Sequence, residues 1–292
     1  MEKECVLYVK EKNKRAICTA CEQRCLIPEG KTGICGVRKN INGKLYLMVY
    51  GKVAAKHIDP IEKKPLYHFL PGTYSYSIGT VGCNFRCPWC QNYDIAQFME
   101  IYGDKILGEN ITPDEIVKQA IETKCKSISY TYTEPTIFIE YAVDTAKLAK
   151  KHGLKKILVT NGYMTKECID YFFPYIDAMN IDLKSFSDDF YRKYCRASKG
   201  LKPVLDTIKN CHKKGIHIEI TTLIIPGLSD SLKELEKISK FIASVDKNIP
   251  WHITRFFPAY KMPDKEITPL ETLKEAEKIG KKYLKYVHIG NV

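Results

Sequence analysis

Residues 74–92 read YSYSIGTVGCNFRCPWCQN. Tyr74 to Thr80 is a β-rich, largely apolar run. It passes directly into a loop that holds Cys83, Cys87 and Cys90, separated by three and then two residues. A strand that delivers reactive side chains at its carboxyl end is the habit of parallel α/β folds, where the loops leaving the strands build the site. The fold then depends on whether the rest of the chain supplies further strands and helices to stand beside this one.

It does. TPDEIVKQAIETK (112–124) sets Thr112 as N-cap, Pro113 at the first helical position and Glu115 three residues past the cap, which predicts a helix start. SISYTYT (127–133) is β-rich, and IFIEYAVDTAKLAKKHG (137–153) is helical with a glycine stop. Strands follow at KKILVTNG (155–162), AMNIDLKS (178–185), IHIEITTLIIPG (216–227) and WHITRFF (251–257), each with a helix after it. DDFYRKYC (188–195) reads as helical, and YVHIG (286–290) as a short closing strand. Such alternation predicts βαβ units and a parallel sheet. Six units are too few for a closed eight-fold barrel and suit an open barrel or a doubly wound sheet. Thr80, Thr133, Thr160, Asp182, Ile225 and Phe257 end the strands, and the cysteine loop follows the first of them.

Residues 1–70 read as an N-terminal four-cysteine module with a connector, and 71–292 as the α/β domain. The module holds CTACEQRC (18–25) and Cys35, then a hairpin over KLYLMVYGKVAAKHI (44–58) after INGK, and DPIEKKPLYHFLPG (59–72) connects it onward. No apolar run approaches the ~18 residues of a membrane span. The charged start MEKECVLYVKEKNK does not read as a signal peptide, so a cytoplasmic protein is expected. Lys and Arg exceed Asp and Glu by 46 to 34, a net charge of +12. The lysines are scattered, often beside glutamates on predicted helices, which suggests solvated faces more than a nucleic-acid surface.

Twelve cysteines without a secretion signal do not suggest disulfides. Cys5, Cys125, Cys168, Cys195 and Cys211 stand alone and read as small buried apolar residues. The other seven form two groups, and grouped thiolates bind zinc or iron–sulfur clusters. A structural zinc needs four ligands, so Cys83, Cys87 and Cys90 would need a fourth from elsewhere. A cubane of four irons held by three cysteines instead keeps one iron open, and the strand-end placement favours that reading. Cys18-x2-Cys21-x3-Cys25-x9-Cys35 supplies four thiolates, enough to close a zinc site or to hold a second iron–sulfur cluster. Either metal would staple a module with little core of its own.

The C-x3-C-x2-C spacing with Trp89 before the last cysteine, opening a run of βα units, resembles the radical S-adenosylmethionine enzymes. Joined by DPIEKKPLYHFLPG, YTYTEPT, VTNGY, NIDLKS, TTLIIPG and HIGNV, it is similar over essentially the whole chain to the radical enzyme of the so-called AmmeMemoRadiSam system. That family is related to pyruvate formate-lyase activating enzymes. The resemblance implies a partial (β/α)6 barrel and a 4Fe–4S cluster on Cys83, Cys87 and Cys90, whose open iron takes the amino and carboxylate groups of S-adenosylmethionine. One electron then breaks a C–S bond, giving methionine and a 5′-deoxyadenosyl radical that abstracts hydrogen from a substrate. The resemblance places Trp89 near the adenine, Glu134 against the methionine ammonium, Asn161 and Gly162 at the third-strand turn beside the cofactor, and Asp182 with Lys184 facing the barrel interior. It implies anaerobic chemistry, an electron donor such as flavodoxin or ferredoxin, and AMMECR-type and Memo-type partner proteins. A protein, a small molecule and RNA all stay open as substrate.

The chain departs from the family at several positions. The usual Gly-Gly-Glu-Pro is represented by Tyr132, Thr133, Glu134 and Pro135, Thr221 stands where activating enzymes carry an arginine, and Tyr260 where they carry a histidine. These changes point away from a glycyl-radical activase, which remains the alternative. From another class, a zinc-bearing nucleic-acid-binding module would use the positive charge without redox chemistry. His57 and His68 flank the connector and read as surface or capped histidines.

Overall fold

In the computed structural model, which describes residues 2–103 and 105–292, the alternation builds one eight-stranded sheet. Its strands are β1 (Ala55–Pro60), β2 (Tyr74–Gly79), β3 (Ser127–Tyr130), β4 (Lys155–Thr160), β5 (Ala178–Asp182), β6 (His217–Ile224), β7 (Trp251–Arg255) and β8 (Val287–Gly290). Order along the sheet follows order along the chain, and the end strands β1 and β8 each have a single neighbour, so the sheet stays open. β2 to β8 are parallel, while β1 runs antiparallel to β2. The α/β class and the closing strand are as the sequence predicts. β1 is additional: its residues were read as part of the N-terminal hairpin, and only Asp59 of the strand is buried, so it carries no alternating apolar signal.

The crossovers are helical: α1 (Pro113–Glu122), α2 (Ile139–Lys151), α3 (Lys166–Phe172), α4 (Lys202–Lys213), α5 (Leu232–Val245) and α6 (Leu270–Gly280). The start of α1 is a capping box, with Glu115 N–H donating to Thr112 Oγ1 (3.3 Å) and Thr112 N–H to Glu115 Oε2 (2.7 Å). After β5 the chain makes a short helical turn, Asp188–Phe190, that widens into a π-helical stretch over Tyr191–Cys195 and ends at Arg196 with φ 59°.

The N-terminal module is two small antiparallel sheets. One contains the hairpin of Arg38–Ile41 and Lys44–Leu47, turned by Asn42 (φ 53°) and Gly43 (φ 79°). Its apolar residues belong to the same continuous core as the barrel. The fastening is ionic as well: Arg38, 1% exposed, sets Nη1 and Nη2 on the two carboxylate oxygens of Glu140 in α2 (3.0 and 2.5 Å) and Nε on the Ile137 carbonyl. Removing one partner of a buried pair strands the other charge, so Glu140→Gln is expected to cost about 3–5 kcal/mol. A shift in urea midpoint too small to correspond to ~1 kcal/mol would show that water reaches the pair.

The connector, for which sequence reasoning offered no structural role, lies inside the sheet. Ile61 and Leu66 pack with Ile157 and Ala178. Asn180 Nδ2 donates to the Pro65 carbonyl (2.8 Å), and the main-chain N–H groups of Tyr67 and His68 donate to the Glu219 carboxylate (3.0 and 2.9 Å). These contacts lie on the amino-terminal half of β4, β5 and β6, opposite the end that carries the cysteine loop.

Candidate functional site

The cysteine loop leaves β2 and is held from three sides. From the loop itself, Phe85 N–H donates to Cys83 Sγ (3.4 Å), and Arg86 Nη1 reaches the carbonyls of Cys83 and Phe85 (2.8 and 2.9 Å). From the N-terminal module, the Ile34 carbonyl accepts from Arg86, and Gln23 Nε2 donates to the Asn84 carbonyl (3.0 Å). From the segment after β5, Cys195 stands against Cys87 with sulfurs 3.9 Å apart, and Phe190 lies 5.2 Å from the Trp89 ring. Trp89 therefore turns its indole into Phe190 and Tyr194 and is 5% exposed. Burial pushes the Cys83 thiol well up and the Cys90 thiol up to about 12, whereas the Cys195 hydrogen bond lowers Cys87.

The ends of β3, β4 and β5 meet this loop through one hydrogen-bonded chain. Glu134 is fully buried, and its carboxylate accepts from Thr136 N–H (3.0 Å), Thr136 Oγ1 (2.5 Å), Thr160 Oγ1 (2.7 Å) and Asn161 N–H (2.8 Å). Three of these donors share Oε1 and only Asn161 N–H meets Oε2, so Oε2 keeps an open acceptor position; burial raises the pKa of the group. Asn161 passes the linkage on: its Nδ2 donates to Asn84 Oδ1 (2.7 Å) beside Cys83, and its Oδ1 accepts from Tyr163 N–H (3.0 Å). Gly162 sits at φ 68°, and a Cβ there would lie 2.7 Å from Ile181 Cγ2. Gly162→Ala combines the strained φ with that contact and is expected to cost more than ~1 kcal/mol, read as a lowered melting temperature. Lys184 pairs with Asp182 (2.6 Å); burial works against its charge, but Asp182, Cys87 and Cys195 hold its pKa well up. The structure thus brings Cys83, Cys87, Glu134, Asn161, Gly162, Asp182 and Lys184 to one end of the sheet.

The other sequence-predicted group also lies around one cavity, without meeting at a single-ion position. Cys18, Cys21, Cys25 and Cys35 line one small cavity together with Arg38 and Thr136. Burial raises the pKa of all four thiols. The cavity abuts the first site: a Cβ on Gly82 would lie 2.6 Å from the Cys35 carbonyl oxygen, so only glycine lets the two loops touch.

Two networks in the interior were missed. Glu219, fully buried, accepts from His217 Nε2 (2.9 Å) and His252 Nε2 (2.7 Å) besides the two connector N–H groups. His68 and His288 approach with Nε2 atoms 2.9 Å apart. Asp59 accepts from Lys63 (3.0 Å), Lys64 (2.6 Å) and Tyr132 Oη (2.6 Å). Tyr132 has φ 66°, so a non-glycine residue at a family glycine keeps a left-handed backbone and uses its side chain to hold the connector. His57 is exposed, edge-on to the Tyr132 ring. Thr221 donates to Asn180 Oδ1 (3.0 Å), and Tyr260 stacks on Tyr93 with centroids 4.8 Å apart. Local spacing shows only part of these networks: His217 lies two residues from Glu219, and Lys63 and Lys64 four and five from Asp59, whereas His252, Tyr132 and the N–H groups of Tyr67 and His68 come from distant segments.

The donor set suits a 4Fe–4S cluster. Three thiols project from one loop, a lysine charge stands beside Cys87, and Asn84 Nδ2, buried next to Cys83, has no partner among the described residues. Among the described residues no three His, Cys, Asp or Glu side chains converge on a single-ion position; a cubane spreads its ligands around a body, not a point. Among the described residues no helix is long and apolar enough to cross a membrane.

Comparison with known proteins agrees with the geometry. An uncharacterised protein of Methanocaldococcus jannaschii is 45% identical over 99% of this chain and 85% of its own length. The pyruvate formate-lyase-activating enzyme of Clostridium pasteurianum is 27% identical over 70% of this chain and 88% of its own. Among solved structures, a radical SAM methyltransferase from Sphaerobacter thermophilus matches with a TM-score of 0.55 at 16% identity, covering 76% of this chain and 67% of that one. Streptococcus suis SuiB bound to S-adenosylmethionine matches at 0.56 with 13% identity, covering 75% and 51%. These structural likenesses concern the fold, a partial barrel. The model of the Radical SAM superfamily matches residues 77–242, from β2 into α5 and more than half of the chain, and the protein belongs to that superfamily of enzymes.

Proposed function

We propose that the protein cleaves S-adenosylmethionine reductively, with Cys83, Cys87 and Cys90 as the ligands of its 4Fe–4S cluster. When bound, the cluster supplies the electron that breaks a C–S bond of S-adenosylmethionine, giving the 5′-deoxyadenosyl radical that takes hydrogen from the substrate. The observation that carries this reading is the chain of hydrogen bonds from Glu134 through Asn161 to Asn84, which ties two strand ends to the cysteine loop.

In this reading Asn161 and Gly162 shape the turn against the cofactor, and Asp182 with Lys184 forms its floor beside Cys87. Glu134 fixes the Asn161 main chain through Oε2, and the same oxygen keeps an acceptor position for the methionine ammonium. Trp89 contributes through its main chain, its ring being turned away into Phe190. The cavity shared by Cys18, Cys21, Cys25 and Cys35 supports a metal there, zinc or a second iron–sulfur cluster. A one-electron donor such as flavodoxin or ferredoxin, and AMMECR-type and Memo-type partner proteins, complete the proposal, with cytoplasmic, anaerobic operation. The binding-module alternative gives way to family membership.

The test is anoxic incubation of iron-loaded protein with S-adenosylmethionine and dithionite. Methionine and 5′-deoxyadenosine are expected in equal amounts, and their absence from protein holding about four irons per chain would sink the reading. Similarity to relatives named activating enzymes supports a second version, a glycyl-radical activase. Thr221 and Tyr260, engaged with Asn180 and Tyr93, weigh against it. A glycyl signal raised in a partner protein would decide for it.

A further inference from the structure

Cys195 reads from the sequence as a small core residue, yet the fold carries it across 108 positions to the cysteine loop, where its sulfur stands 3.9 Å from that of Cys87. With Cys83, Cys87 and Cys90 read as cluster ligands, we propose that Cys195 is a positioning residue for the cluster: its thiol donates a hydrogen bond to the Cys87 sulfur and makes the bound cluster easier to reduce.

Chemistry sets the direction of the bond. A cysteine that ligates iron is a thiolate and can only accept, while a neighbouring free thiol carries the donor hydrogen. Both residues are buried, Cys87 at 8% and Cys195 at 0% exposure, so water does not compete. A hydrogen bond to a cluster ligand offsets the extra negative charge of the reduced state and raises the potential.

The segment that carries Cys195 is built to hold that thiol in place. Its carbonyl accepts from Arg86 N–H (3.0 Å), one residue before Cys87. Tyr191 Oη accepts from Lys184 N–H (3.0 Å), and the Arg196 carbonyl accepts from Gln23 Nε2 (2.7 Å), which also holds the Asn84 carbonyl. The turn is π-helical over Tyr191–Cys195, wider than an α-turn. Such bulges re-aim side chains and collect at functional sites. Here the wide turn and the left-handed Arg196 that ends it accompany a thiol that meets Cys87 within the core. Lys184 also stands beside Cys87, and it stays in place when Cys195 alone is changed.

The experiment is an equilibrium redox titration, followed by electron paramagnetic resonance, of anoxically loaded wild type, Cys195→Ala, Cys195→Val and Cys195→Ser. Ala and Val, which lack the donor, are expected to shift the midpoint negative, so that at one fixed poise the reduced fraction falls several-fold. Ser keeps an O–H donor and is expected to stay close to wild type. Equal midpoints in all four proteins overturn the proposal. Equal loss of iron from Ala, Val and Ser also overturns it, making Cys195 a packing residue. Wild type that binds no iron would instead refute the ligand reading on which this inference rests, a different and separately visible failure.

Discussion

Replacing Cys83, Cys87 and Cys90 together by alanine is expected to remove about four irons per chain and to reduce S-adenosylmethionine cleavage to background. The effect should be close to total, because no other residue supplies a thiolate from this loop. Cys195 is the single further thiol in contact among the described residues, and one sulfur cannot hold a cubane. The rest of the loop stays anchored by Phe85, which is buried, and by the Arg86 hydrogen bonds, so the melting temperature of metal-free protein should change little. The metal that remains reports on the N-terminal cavity. Zinc alone makes Cys18, Cys21, Cys25 and Cys35 a structural site, while about four residual irons make them a second cluster. Iron content unchanged from wild type would show that the loop is not the ligand set.

Acid is expected to unfasten the connector, and Glu219 is the reason. Burial works to raise its pKa, but His217, His252 and the N–H groups of His68 and Tyr67 outweigh it and hold the group at about 2 against the ordinary 4.5. A carboxyl whose folded pKa is depressed stabilises the protein above its unfolded pKa, and that contribution is lost as pH falls toward the folded value. At ~1.4 kcal/mol per pH unit the difference corresponds to about 3 kcal/mol. Glu219→Gln is therefore expected to lower unfolding free energy by about 3 kcal/mol at pH 7. The loss should shrink steadily as the pH of a urea titration is lowered below 4.5. A deficit constant with pH would mean that the carboxylate charge is not what the four donors serve.

Residues that announce themselves by local spacing were legible. The helix start at Thr112 was fixed by three residues within four positions, and the two cysteine groups by intervals of a few residues. The strand ends followed from periodicity, which is also local. What escaped was long-range pairing. Nothing near Ala55–Pro60 distinguishes an edge strand of the main sheet from the second arm of a hairpin, because an edge strand with one buried residue has no alternating pattern to read. Cys195 was legible as a core residue, as it is, but its contact with Cys87 was not, since that partner lies on another loop. Glu134 was legible as a strand-end carboxylate, whereas its donors Thr160 and Asn161 stand at another strand end, and that pairing leaves no trace in sequence spacing. Tyr132 marked a departure from the family, and only the fold shows that its hydroxyl reaches Asp59.

The placement of the connector has a consequence for how the enzyme could diversify. Residues 61–69 lie along the amino-terminal half of the interior, where Leu66 and Tyr67 meet side chains of β4, β5, β7 and β8. The groups proposed to hold cluster and cofactor stand at the opposite end, on the cysteine loop and the ends of β3, β4 and β5. Reach and reactivity are therefore written in largely separate parts of the chain, joined where Tyr132 at the end of β3 meets Asp59 and Lys64. A lineage could rewrite this short internal plug and admit a longer or shorter guest while every residue at the reactive end stayed as it is.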